Sequence, residues 1–410
     1  MKIKTLALAI GAAVAAQSGV VLADATVYGK LNISLQNNSF DYIGRSQQDN
    51  WTLNSNSSRL GVKGKSKIND DMDAVFKLEY ETYVDNGFSS CNNSNNTFCQ
   101  RNIYAGLSSK KYGMLYGGKN DTVLKMAADG TDLFNDLVIG DITNYMVGEN
   151  RENNSIIYTS PVIAGFTFST STILGEQTGV DNAAGHDPYH DSVQQNSGIF
   201  DSSSTAVKYE FNDKAWIALA GDVNVQNADI VRLVSQATFG DFTFDAHIQT
   251  ANNHFRDYNA NGVSDSLGDG MVISNSRGYG LALSNIAGGP NGAPPAGTGS
   301  GAFYSAIESQ DAWMLNGKYQ MGDWAFKAQI GESYSTAFDP TAANQLQPIS
   351  PASGREFDTT QVAFGVDYAM SKNVTIFSYI AQLDTDIDNA PALIDNSTLQ
   401  TGGVGLEVKF

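Results

Sequence analysis

From Ala25 onward, apolar and polar side chains take turns. Val27, Gly29, Leu31, Ile33 and Leu35 share one face of an extended segment, and Tyr28, Lys30, Asn32, Ser34 and Gln36 share the other. Successive side chains of a strand point to opposite faces, so such a segment must separate an apolar phase from water. The pattern recurs: Ala74, Phe76, Leu78 and Tyr80 oppose Val75, Lys77, Glu79 and Glu81, and Phe242 and Phe244 oppose Thr243, Asp245 and His247. Further on, Trp324, Phe326, Ala328 and Ile330 oppose Lys327 and Gln329, and Val362, Phe364, Val366 and Tyr368 oppose Ala363, Gly365 and Asp367. Tight turns rich in Asn, Asp, Gly and Lys (KINDDM, SSKKYG, FNDKA, FGDF, QMGD, MSKN) join some segments, and long polar stretches join others.

After the first two dozen residues there is no run of about 18 apolar residues, so no membrane-spanning helix is on offer. A membrane β-barrel instead hides its apolar surface in every second residue of roughly 10-residue strands, with short turns at one rim and long loops at the other. A mean hydropathy of -0.24, with 40 Gly against 9 Pro, suits that class. The expected fold is therefore all-β, a transmembrane antiparallel β-barrel. Its strands, about sixteen, begin near residues 25, 51, 72, 98, 112, 153, 163, 203, 214, 228, 241, 311, 324, 356, 373 and 397. The count takes 251–310 as one loop region. Within it RGYGLALSN (277–285) is strand-like, ahead of the flexible run GGPNGAPPAGTGSG; a second hidden strand would raise the total to eighteen. Tyr112, Tyr116, Tyr158, Trp313, Tyr319, Trp324 and Tyr368 lie near strand ends, where girdles at the membrane interfaces would place them.

One stretch breaks the alternation. Residues 117–151, GGKNDTVLKMAADGTDLFNDLVIGDITNYMVGENR, carry Asp121, Asp129, Asp132, Asp136, Asp141 and Glu149 and alternate nowhere. Connections of this length in compact proteins are usually functional or disordered. The expectation is that this one, third among the long loops, folds into the lumen and narrows it.

The first 23 residues place Lys2 and Lys4 before an apolar run that ends in small residues, the pattern of a secretory signal peptide; cleavage after Ala23, with a second site after Ala25, leaves one domain, 24–410. The 43 acids against 25 bases give a formal charge of -18, which repels nucleic acid and predicts a mild preference for cations. Cys91 and Cys99, the only cysteines, lie in the polar loop SSCNNSNNTFC and in an exported protein are expected to form one disulfide.

The chain closes on TGGVGLEVKF, with Val404, Leu406, Val408 and Phe410 on one face. A final strand ending in Phe resembles the general diffusion porins of Gram-negative bacteria, in which that residue marks the strand for barrel assembly. VYGKLN (27–32), SRLGVKG (58–64), RNIYAGL (101–107) and the YGGKNDTVLK that opens the acidic stretch are similar to the same family, in the family's order across the mature chain. The Pro-Glu-Phe-Gly-Gly loop tip of enteric members is absent, which points to a non-enteric branch.

The resemblance implies a water-filled outer-membrane channel for passive diffusion of small hydrophilic solutes and ions. It also implies a homotrimer set among lipid and lipopolysaccharide, with no cofactor and no catalytic role; the loop at 85–97 is available to latch a neighbour. By the family's motif, Lys30, Arg59 and Arg101 are the basic ladder of the constriction, with Lys63 and Lys77 as lumen-facing neighbours by alternation. Asp129, Asp132, Asp136 and Asp141 are expected opposite them, with Asp121 nearer the loop's base. The competing expectation is an eighteen-stranded channel specific for a sugar or organic solute.

Three side features fit less definite roles. Asp257, Asn259, Asn261, Gly262, Val263 and Asp265 match positions of a calcium loop, but position 12 is Gly268 and no helices flank it, so an Asn/Asp/Gly-rich surface turn fits as well. His186 and His190 are spaced as a metal pair would be on a helix, yet Pro188 lies between them; His247 reads as a polar pore-lining residue. An enzyme on a barrel would need a nucleophile with a positioned base, and the four His have no Ser or Asp partner by spacing.

Overall fold

The structure is a computed structural model that describes residues 24–42, 48–87, 89–91, 94–174, 199–226, 228–254, 307–337, 355–388 and 396–410. The leader (1–23), His186, His190, the 257–265 turn and the 277–285 segment lie outside the described residues.

The alternating segments are strands. The first part of the chain forms β1 (Asp24–Tyr42), β2 (Gln48–Ser55), β3 (Arg59–Lys67), β4 (Met72–Thr82), a small hairpin of β5 (Ser89–Cys91) and β6 (Ser94–Asn96), β7 (Phe98–Ser109) and β8 (Gly113–Asp121). A short helix, α1 (Val123–Ala127), and a single 3-10 turn (Ile142–Asn144) interrupt the pattern. Then come β9 (Arg151–Thr159), β10 (Phe166–Ile173), β11 (Ser203–Asn212), β12 (Ala215–Val225), β13 (Ala228–Phe239) and β14 (Phe242–Asn253). The last are β15 (Ile307–Met321), β16 (Trp324–Ala337), β17 (Arg355–Ser371), β18 (Val374–Ile387) and β19 (Asn396–Lys409).

β2 and β3 are two halves of one strand. β2 pairs with Ile33–Phe40 of β1 and β3 with Asp24–Lys30. Between them the chain bulges through Ser57 at φ 46°, which turns Asn56 inward to donate to Asn32 Oδ1 and Ser34 Oγ, both at 2.9 Å. Each strand runs antiparallel to the next, and β19 returns to pair with β1, so sixteen strands close a barrel. Closure leaves no unpaired edge, the condition for a sheet to sit in lipid. The last residue completes it: Phe410 N donates to Gly29 O at 3.1 Å, and Gly29 N to Phe410 O at 3.0 Å. A Cβ on Gly29 would collide with the Phe410 ring lying over it.

The eighteen-strand alternative is excluded, because β14 pairs directly with β15 from Phe242–Tyr319 to Asn252–Ser309 and the described strands close at sixteen. Leu31, Leu107, Leu115, Leu219, Ile248, Ile330 and Val404 are exposed on one face of successive strands, while the opposite, inner face is polar and largely buried. An exposed apolar band around a closed sheet is the lipid-facing surface. Near the short turns ring pairs reinforce it: Phe166–Tyr209 (4.5 Å), Phe242–Tyr319 (4.5 Å) and Trp324–Tyr368 (4.6 Å). Tyr116 departs from the expected girdle: it points inward, 8% exposed, against Tyr104 at 4.6 Å. Cys99 is disulfide-bonded.

The buried apolar residues gather where the 122–150 connection meets the strands. Val123, Leu124 and Val147 of the 122–150 connection pack with Ala220, Ala228, Ile230 and Ala251. Phe134, Ile139, Ile142, Tyr145 and Met146 pack with Ala312, Met314, Ala363, Tyr379 and Leu383. Wherever the inner face of β12 to β18 carries Ala or Met instead of a polar residue, apolar side chains of the connection have somewhere to be buried.

Candidate functional site

The connection leaves β8 through Thr122, whose side chain caps α1 by accepting from Lys125 N, and Leu124 N donates to Ser204 Oγ on β11 at 2.8 Å. Beyond α1 the chain is irregular, and irregular backbone must find partners for its amides and carbonyls. Two carboxylates supply some from within. Asp132 accepts from Phe134 N at 3.1 Å and Ile142 N at 2.9 Å. Asp141 accepts from Asp136 N at 2.7 Å, and from Thr143 N and Oγ1 at 2.8 and 2.6 Å.

Side chains of the inner wall supply the rest. Gln361 accepts from Gly140 N and Asn144 Nδ2, both at 3.1 Å, and donates to Asp141 O at 3.3 Å. Gln329 donates to Gly140 O at 2.6 Å, and Lys327 to Leu133 O at 3.1 Å. Gln310 accepts from Val147 N at 3.0 Å and donates to Tyr145 O at 3.1 Å. Asn316 donates to Thr131 O, and His247, buried rather than lining water, meets Thr131 Oγ1 at 2.7 Å through Nε2. Arg232, fully buried, donates to Glu149 Oε1, to Val147 O at 2.9 Å and to Gln249 Oε1 at 2.7 Å. Two inner-face glycines give room for the connection's rings. A Cβ on Gly331 would overlap the Tyr145 hydroxyl, and one on Gly365 would stand 2.9 Å from Phe134 Cε1.

On the other side of the barrel the wall is charged. Asp136, held at φ 73°, is the acid of the connection that meets it: its Oδ2 lies 2.6 Å from Lys30 Nζ and 3.5 Å from Arg59 Nη2. Lys30 also approaches Glu407 at 3.6 Å, which Lys409 contacts at 2.7 Å. Arg101 reaches Glu79 at 3.2 Å and Glu81 at 2.9 Å, and Lys77 reaches Glu79 at 3.2 Å. Asp121, at the base of the connection, pairs with Arg151 at 2.8 Å and Lys125 at 3.5 Å. Lys63 is exposed, with its amine 5.1 Å from the centre of the Tyr28 ring. Asp129 is exposed on the connection, whereas Asp132 and Asp141 are turned into its backbone.

Of the ladder and its partners, the structure thus joins Lys30, Arg59 and Asp136 directly. It adds Glu79, Glu81, Glu407, Arg151 and Arg232, which motif reasoning passed over. Polar-face parity could have found Glu79 and Glu81, because both stand in register with Lys77 on β4.

The three acids are shifted in opposite directions. Burial tends to raise Asp136, but Lys30, Arg59 and Arg101 outweigh it and hold the carboxyl below the usual range. Burial pushes Asp132 well above that range, reinforced by Asp141; burial also raises Asp141, against the Thr143 hydrogen bonds. A carboxyl raised on folding destabilises the docked connection as it ionises, so its penalty is relieved as pH falls and is gone below the unfolded value. The Asp136 pairing, conversely, is lost only when pH falls through its depressed value. Acidification from neutral pH toward the ordinary carboxylate range is therefore expected to tighten the docked connection, and the accompanying rise in melting temperature should shrink in Asp132→Asn. A melting temperature that falls over that window by the same amount in both proteins would contradict the assignment.

A family model described as Gram-negative porin matches residues 5–388. Among solved structures, the anion-selective porin from Comamonas acidovorans superposes with a TM-score of 0.62 at 15% identity, covering 95% of this chain and 100% of that one. The outer membrane channel DcaP of Acinetobacter baumannii gives 0.59 at 13% identity over 96% and 99%. The in-vitro folded trimer form of OmpT, an outer membrane protein of Vibrio cholerae, gives 0.53 at 15% identity over 95% and 99%. Among curated proteins none matches the sequence significantly. At these identities the likeness is one of fold.

Proposed function

The chain belongs to the Gram-negative porin family, outer-membrane channels for passive diffusion of small solutes, and we propose that its 117–151 connection lies inside the barrel as the constriction of the channel. The observation that carries this reading is the reach of Asp136. The connection is bonded to inner-face side chains of β13 to β17, yet Asp136 is within 4 Å of Lys30 on β1 and Arg59 on β3. Spanning from one wall to the other narrows the water to the space beside Arg59, Lys63, Lys77 and Arg101. Opposed charges across that space orient dipolar solutes and set ion selectivity, and solutes small and hydrophilic enough to pass it are the cargo.

The chain is read as a homotrimer among lipid and lipopolysaccharide, on the likeness to the OmpT trimer, with residues 1–23 as its export signal and Cys91 as the partner of Cys99. Planar-bilayer recording tests the channel. Three equal conductance steps per insertion are expected. No conductance, or block by a single sugar at low concentration, would instead indicate a closed or substrate-specific barrel.

A further inference from the structure

The formal charge of -18 favours cations, but it belongs to the whole chain. An ion inside a narrow passage responds to the charges within about 8 Å of it, the screening length at physiological salt. The ion-paired charges around the connection have the opposite balance. In the three ion-pair groups of the charged wall, seven cations share five carboxylates. Asp136, Glu407 and Asp121 each serve two cations, and only the group of Glu79 and Glu81 is balanced one for one.

Lys63 adds to the excess. It has no ion pair among the described residues, and its cross-strand neighbours are Thr26 on β1 and a second cation, Lys77, on β4. Its ammonium stands over the Tyr28 ring, while the Tyr28 hydroxyl is taken up by Glu79 at 2.8 Å, so the ring serves as a floor and supplies no counter-charge. Asp24 and Asp73 stand across from cations of their own, Lys65 and Lys67, and five further acids are placed elsewhere. Asp132 and Asp141 face backbone amides of the connection, Glu149 is matched by Arg232, and Asp222 and Asp245 are buried in the strand wall. Asp129 is the one exposed carboxylate of the connection to set against Lys63.

We propose that the passage prefers small anions, chloride to phosphate in size, against the sign of the chain's net charge, with Lys63 as the amine that receives them. The inference rests on the constriction reading above. An ammonium with a second cation, Lys77, as its cross-strand neighbour suits oxyanions as well as halides.

Reversal potentials across a potassium chloride gradient test it. Wild type should pass chloride more readily than potassium. Lys63→Gln should lower the chloride-to-potassium ratio by about twofold to fivefold, the effect of a unit charge a few ångströms away through water. Lys63→Glu should lower it further, Lys63→Arg should preserve it, and Asp129→Asn should raise it. A conducting wild type that prefers potassium overturns the anion preference and leaves the constriction reading standing. An unchanged ratio in Lys63→Gln and Lys63→Glu removes Lys63 from the role. Inserted protein that carries no current overturns the channel reading itself, and this inference with it.

Discussion

Arg232→Met is expected to cost about 3–5 kcal/mol of stability, the usual penalty for removing one partner of a buried ion pair. Arg232 is completely buried, and its guanidinium is shared among the Glu149 carboxylate, the Val147 carbonyl and the Gln249 amide. Methionine fills much of the volume but takes the Arg232 cation away from the buried Glu149 carboxylate. The C-terminal part of the connection would then lose its strongest tie to β13, so unitary conductance should rise as melting temperature falls. Adding Glu149→Gln removes the buried charge that Arg232 had balanced, and the double variant should be more stable than Arg232→Met alone. Equal stability of the single and double variants would show that the pair does not hold the connection.

Gly331→Val should act at a second tie, through shape rather than charge. The Tyr145 hydroxyl occupies the space that any Cβ at residue 331 would need, and Tyr145 is itself fully buried. A branched side chain there must expel the ring, at a cost of about 1–3 kcal/mol for overpacking, and the 3-10 turn that precedes Tyr145 should move with it. Larger unitary conductance is the expected result. Gly317→Ala is the control, since its nearest neighbour would be Phe244 at 3.8 Å. If Gly331→Val conducts and melts like the control, Tyr145 is not what seats the connection.

Much of the barrel was legible because strand periodicity is local. β1, β4, β11 and β16 begin at Asp24, Met72, Ser203 and Trp324, within a residue of the starts read from alternation and turn residues. The break at residues 56–58 was not legible, since a bulge that turns Asn56 inward leaves no periodic signature. Lys30 and Arg59 could be picked out through the family's motif, and the register then sets them directly opposite each other. The differing orientations of Asp132, Asp136 and Asp141 could not. They depend on which backbone amides each carboxylate caps and on the positive φ of Asp136, properties of an irregular path that composition does not encode. The docking wall left a faint trace: polar-face positions filled by Ala218, Ala220, Ala312, Ala363 and Ala381, and by Gly331 and Gly365, where a purely wet surface would carry polar groups.

The central claim, that the 117–151 connection constricts the channel from within, is most directly tested at Asn135, which is exposed beside Asp136. Single channels of Asn135→Cys should lose current in discrete steps when a charged methanethiosulfonate reagent is added, and wild-type channels should not. Full modification of Asn135→Cys, verified by mass, with no change in current would place the connection outside the conducting path and contradict the account.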